Sequence, residues 1–155
     1  MTTRITSTRN TRNLVEIEAV RSKLAALWLG SSGLIFLTLV VQSLRLVYGS
    51  KTQEVWGWIL PTLMPTLSLI VTVLSYSALD PAMSGTVVRL DFYRLAFWLS
   101  GAYLFVILLT LLVQPFSSGD PIQLMQMSNL WLGPFQGLVA SALGVLFASK
   151  KPQNP

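Results

Sequence analysis

The sequence predicts an all-α integral membrane protein, a four-helix bundle with antiparallel neighbours, short polar termini and a short interfacial helix between spans three and four. Three observations predict it. Hydrophobic residues make up 52% of the 155-residue chain and charged residues only 11%, against about 25% charged in soluble domains. Four stretches, 24–44, 55–76, 95–113 and 130–148, contain no charged residue. Each is close to the roughly 20 residues that a helix needs to cross the hydrocarbon core. All six acidic residues lie outside those stretches.

The chain divides into a basic N-terminal arm (1–13), a four-span transmembrane domain (14–149) and a basic, polar tail (150–155). The arm, MTTRITSTRNTRN, has no acidic residue and no apolar period, so it cannot build a core and is expected to be disordered. Its Arg, Ser and Thr content resembles an organelle transit peptide, but the apolar repeat of a targeting helix is lacking. Residues 13–23 (NLVEIEAVRSK) read as a short helix leading to the membrane, with Asn13 and Glu16 spaced as a capping box.

In the first span Ser31, Thr38, Gln42 and Arg45 share a face, and Ala26 and Gly30 stand one turn apart, which permits close approach of a neighbour. The second span reads VWGWILPTLMPTLSLIVTVLSY. At about 100° per residue, Gly57, Trp58, Pro61, Pro65, Ser68, Thr72, Ser75 and Tyr76 fall on one side of it. Leu60, Leu63, Leu67, Ile70, Val71 and Leu74 fall on the other. The aliphatic side is expected to meet lipid and the proline–hydroxyl side to meet protein or water. Pro61 and Pro65 each remove a backbone donor and crowd the preceding turn, which predicts a kink. Pro61, Pro65, Ser68 and Thr72 are accordingly read as a packing kink or, alternatively, as a pore lining.

The connection 79–94 carries the turn signals Asp80-Pro81 and Ser84-Gly85. Asp91 and Arg94, three residues apart, are spaced to pair on a helix. In the third span Ala96, Ser100, Tyr103, Thr110 and Gln114 fall on one side. Asp120-Pro121 is a helix start, and Ile122, Leu124, Met125 and Met127 suggest the short interfacial helix. In the fourth span Gly133, Gly137, Ala140 and Gly144 form one stripe, with GxxxG and small-xxx-small spacing. Such a stripe is a helix-packing and assembly signal, whether within one chain or between chains.

Charge sets the expected orientation. Arg4, Arg9, Arg12, Arg21, Lys23, Arg89, Arg94, Lys150 and Lys151 flank one side of the four spans, and only Arg45 and Lys51 flank the other. The positive-inside rule then predicts both termini in the cytoplasm. The expected location is a bacterial cytoplasmic (inner) membrane. Arg21, Lys23, Arg89, Arg94, Lys150 and Lys151 are the residues expected to meet anionic lipid head groups. The net charge of +5 is assigned to that surface rather than to nucleic acid.

The chain has neither cysteine nor histidine. Ser-His and Cys-His nucleophilic catalysis are therefore excluded within it, and a transition-metal site is not expected. The spans lack the mid-membrane Asp, Glu, Lys or His that proton and ion pumps use. Paired carboxylates and phosphate-binding glycine loops are also missing. No catalytic residue, cofactor or metal is assigned. The expectation is a small non-enzymatic membrane protein that assembles with itself or with a partner, membrane or cytosolic, as a subunit or anchor. The alternative is an oligomeric pore or membrane-permeabilising effector with weak ion selectivity.

Overall fold

The computed structural model describes residues 14–79, 87–116 and 121–148. The basic arm, the 80–86 and 117–120 connections and the tail with Lys150 and Lys151 lie outside the described residues. Four α-helices carry the fold: α1 (Ile17–Leu44), α2 (Thr52–Leu79), α3 (Leu90–Val113) and α4 (Pro121–Ala148). All four are long and apolar enough to cross a membrane. The longest have 28 residues, or about 42 Å at 1.5 Å per residue, more than the ~30 Å hydrocarbon thickness.

Three differences from the sequence expectation concern the helix ends. First, a two-stranded antiparallel ribbon precedes the helices. Strand β1 (Leu14–Glu16) pairs with β2 (Val87–Arg89) in the register Leu14 with Arg89, Val15 with Val88 and Glu16 with Val87. Val15, Val87 and Val88 are β-branched and favour extended backbone. The helix expected over 13–23 therefore starts only at Ile17. Glu16 is its extended N-cap and makes no side-chain capping bond, while Asn13 lies outside the described residues. Second, that helix does not stop at the membrane edge but runs on to Leu44 without a break. Third, the short helix expected near 122–127 is the first part of α4, which is continuous to Ala148. Pro121 opens it where a missing N–H costs nothing, and nothing breaks the chain before Pro134.

The helix pairs show an ordered register. Between α1 and α3, the ribbon joins Leu14 to Arg89, the rings of Trp28 and Tyr103 lie 6.0 Å apart, and Gln42 Nε2 donates to Leu111 O. Residue numbers on the two helices thus rise together. Between α2 and α4, Trp58 Nε1 donates to Asn129 Oδ1 (3.0 Å) and Gln136 Nε2 to Thr62 O (3.2 Å), again rising together. At the α1–α2 connection Trp56 stacks on Phe36 and donates to Ser43 Oγ. That connection is tight, with Leu46 and Gly49 at φ of 56° and 54°. Glycine accepts this left-handed backbone freely, and leucine only under constraint.

The core is one cluster drawn from all four helices, including Leu24, Trp28, Ile35, Ile59, Leu63, Tyr103, Ile107 and Leu143. On α3 it takes the side marked by spacing, with Ala96, Ser100 and Tyr103 buried and Thr110 half-buried, and Gln114 just past its end is buried too. On α2 it takes a different side from the one expected. Val55, Trp58, Ile59, Thr62, Leu63, Thr66 and Ile70 are buried, whereas Pro61, Pro65, Ser68 and Thr72 are exposed. Leu63 and Ile70, expected to face lipid, lie wholly inside. The reason is steric and polar together. Trp58, Ile59, Leu63 and Ile70 give far more dispersion contact than glycine and proline, and Trp58 and Thr62 find hydrogen-bond partners on the neighbouring helices.

Candidate functional site

Two polar features hold the bundle interior, and a third region faces outward with no cover. The first feature is the backbone carbonyl of Thr62, on α2 between Pro61 and Pro65. It accepts the Tyr103 hydroxyl from α3 at 3.1 Å and the Gln136 amide from α4 at 3.2 Å. Thr62 Oγ1 itself donates to Trp58 O at 2.7 Å. One carbonyl thus joins three helices. Tyr103 also meets Phe135 edge-on, with ring centroids 5.6 Å apart, so its hydroxyl is held by packing on both sides. The two prolines flank this acceptor and leave Gly57 O and Pro61 O without the N–H four residues on, because residues 61 and 65 carry none.

The second feature is Arg21. It is only 2% exposed, so its expected place among lipid head groups is corrected. Its guanidinium donates to Phe147 O at 2.9 Å and to Leu146 O at 3.2 and 3.3 Å. These carbonyls belong to the last turn of α4, where no residue further along the helix can bond them. That turn contains no basic residue of its own. A cation supplied by α1 satisfies the carbonyls and the negative end of the helix dipole together. The signal was present in the sequence: Ile17, Val20, Leu24 and Trp28 are all buried, and Arg21 has the spacing of that inner stripe.

The other basic residues assigned to head groups are placed differently. Lys23, Arg89 and Arg94 are exposed. Asp91 pairs with Arg89 at 3.3 Å, rather than through the predicted Arg94 spacing, because extended Arg89 turns back over the first turn of α3. Both partners are more than half exposed, so the pair contributes little. They line an open recess of about 580 Å³ with Val88, Phe92 and Leu95.

At the far end of α1, Gln42 ties α1 to α3 through Leu111 O and accepts the hydroxyl of buried Tyr48. Burial pushes the Tyr48 phenol up to about 12. Gln114, just past the end of α3, is buried, with Oε1 unpartnered among the described residues.

The uncovered region is the stripe on α4. Gly133, Gly137 and Ala140 are exposed and Gly144 is half-buried. A Cβ placed on Gly133, Gly137 or Gly144 would meet no atom within 4 Å. The stripe therefore packs against no other helix of its own chain. α4 uses Met125, Ser128, Leu132, Val139, Leu143 and Leu146 for that purpose instead. On α2, Pro61, Pro65, Ser68 and Thr72 likewise face away from the bundle. The structure brings neither group into the interior.

No group of three or more His, Cys, Asp or Glu side chains capable of holding a metal occurs among the described residues. Comparison with protein-family models, with curated proteins and with solved structures gives no match.

Proposed function

We propose that this chain is a non-enzymatic membrane subunit or anchor that assembles with a second copy or with a partner, membrane or cytosolic, through the outward face of α4. The observation that carries this reading is the open space around Gly133, Gly137 and Gly144. A glycine stripe that no helix of its own chain fills lets a foreign backbone approach closely, which is what drives helix association where lipid supplies no hydrophobic gradient. Successive helices run antiparallel in this reading. The ordered contacts of α1 with α3 and of α2 with α4 support that arrangement. Both termini then lie in the cytoplasm of a bacterial inner membrane, with exposed Lys23, Arg89 and Arg94 toward anionic lipid. The test is Gly137→Leu, with molecular mass measured in mild detergent. Loss of the oligomer or of the co-purifying partner is expected, and an unchanged assembly would rule out this face.

A second reading is favoured by the outward Pro61, Pro65, Ser68 and Thr72. Several copies arranged with α2 toward a common axis would line a water path with these residues. An uncharged lining predicts weak ion selectivity. Conductance in planar bilayers from a ring of copies supports the pore; an electrically silent monomer or dimer ends it.

A further inference from the structure

We infer that the seam between α1 and α3 is a hydrated site, in which internal water bridges Trp28 to Ser32 and Ser100. Trp28 Nε1, Ser32 Oγ and Ser100 Oγ are buried and have no hydrogen-bond partner among the described residues. Their residues are 0%, 2% and 0% exposed. Trp28 carries the argument. Trp56 and Trp58, the other tryptophans turned inward, give their N–H groups to Ser43 and Asn129. Trp98 and Trp131 are exposed. A serine can rotate to a carbonyl of its own helix, but an indole N–H cannot. A donor left bare at membrane depth is strongly unfavourable.

The register places the three groups within reach of shared water. The Trp28 ring packs on Tyr103, with centroids 6.0 Å apart, and residue numbers on the two helices rise together toward Gln42 and Leu111. Ser100 then stands about one turn below Trp28 and Ser32 about one turn above it. One turn is about 5 Å, a gap that one water closes with two hydrogen bonds. A water there finds an indole donor and a hydroxyl that both donates and accepts, which are the polar partners that internal waters require. The same two helices open a notch of about 160 Å³ lined by Ser31, Ile35, Gly101 and Leu104 among others. Ser31 and Gly101 each adjoin one of the unpartnered serines, so the notch lies beside the site.

The test uses the whole chain, labelled with ¹⁵N at tryptophan and reconstituted in lipid nanodiscs. Trp28→Phe identifies the indole resonance of residue 28; should that variant fail to fold, Trp→Phe changes at the other four positions identify it by elimination. A cross-peak between this N–H and water is expected, with deuterium exchange faster than that of the Asn129-bonded Trp58. No water cross-peak, with exchange as slow as that of Trp58, overturns the site. Thermal unfolding provides a second readout. Replacing Ser32 and Ser100 together by Ala removes the bridging hydroxyls and lowers the unfolding temperature if the seam is hydrated. In a dry seam the same change removes two unpaired groups, and a rise in unfolding temperature overturns the inference.

Discussion

On α2, the face carrying Val55, Trp58, Thr62 and Thr66 is buried, while the face about 100° away, carrying Gly57, Pro61, Pro65 and Ser68, is exposed. Both faces mix small or hydroxyl-bearing residues with bulkier ones. They differ in what can be paired. The inner face presents an indole and a carbonyl that α3 and α4 meet with Asn129, Tyr103 and Gln136. The outer face carries Gly57 and Pro61, whose carbonyls the prolines have deprived of their own helical donors. The same contrast holds on α4, where the inner stripe is aliphatic and the glycine stripe looks out. In lipid, moving a leucine from acyl chains to protein gains little, so close fit and hydrogen bonding decide which face turns inward.

Substitutions at five positions separate these two environments, starting with the largest effect. Arg21→Ala removes the buried cation that caps α4. It should cost about 1.5–3 kcal/mol, the range for hydrogen bonds to charged groups, read as a lower unfolding temperature in detergent. Arg21→Lys should recover only part of that loss, because an ammonium lacks the planar fork. A neutral outcome for Arg21→Ala would mean that α4 finds another cap.

Tyr103→Phe keeps the ring against Phe135 and deletes one donor to the Thr62 carbonyl. The expected cost is about 0.5–1.5 kcal/mol. Gln136→Leu should couple to it in a double-mutant cycle, because both donors serve one acceptor. Strict additivity would dissolve the idea that this carbonyl joins three helices.

Tyr48→Phe tests the connection between α1 and α2. It deletes the bond to Gln42 and should cost about 1 kcal/mol at neutral pH. It should also remove a pH dependence. Burial favours the neutral phenol, so the folded-state pKa of about 12 lies above the ordinary value of about 10. This contribution is complete below the unfolded pKa and is lost as the pH rises through the folded one. Alkaline unfolding of the native chain should therefore steepen across that window and flatten in the variant.

The smallest effect on folding is expected at Gly137. Its Cβ position is open, so Gly137→Ala should leave unfolding unchanged or raise stability by up to about 1 kcal/mol through helix propensity. Assembly in mild detergent should nevertheless weaken. Destabilised folding with intact assembly would reverse the assignment of inner and outer faces.

Much of this architecture is legible without coordinates. The four uncharged stretches are long enough for a bilayer, and each falls within a helix. The α3 side of Ala96, Ser100, Tyr103 and Gln114 was readable because large and polar residues coincide there, so fit and pairing agree. On α2 they disagree. Pro61 and Pro65 draw attention to a face that is exposed, while the atom between them that joins three helices, Thr62 O, is a backbone group that no side-chain pattern reveals. Arg21 was misplaced because a cation beside a span ordinarily seeks head groups, and its acceptors lie 125 residues further along the chain.

By itself, then, the sequence determined that four helices are long and apolar enough to cross a membrane, since a span needs about 20 residues with few or no charges. It also removed histidine and cysteine chemistry outright. Which faces of α2 and α4 turn inward was decided only by the tertiary structure. So were the β1–β2 ribbon, the Arg21 cap on α4 and the three-helix junction at Thr62. Each depends on a partner from another helix, and in a membrane, where lipid and leucine are nearly equivalent, those partners set how the helices rotate.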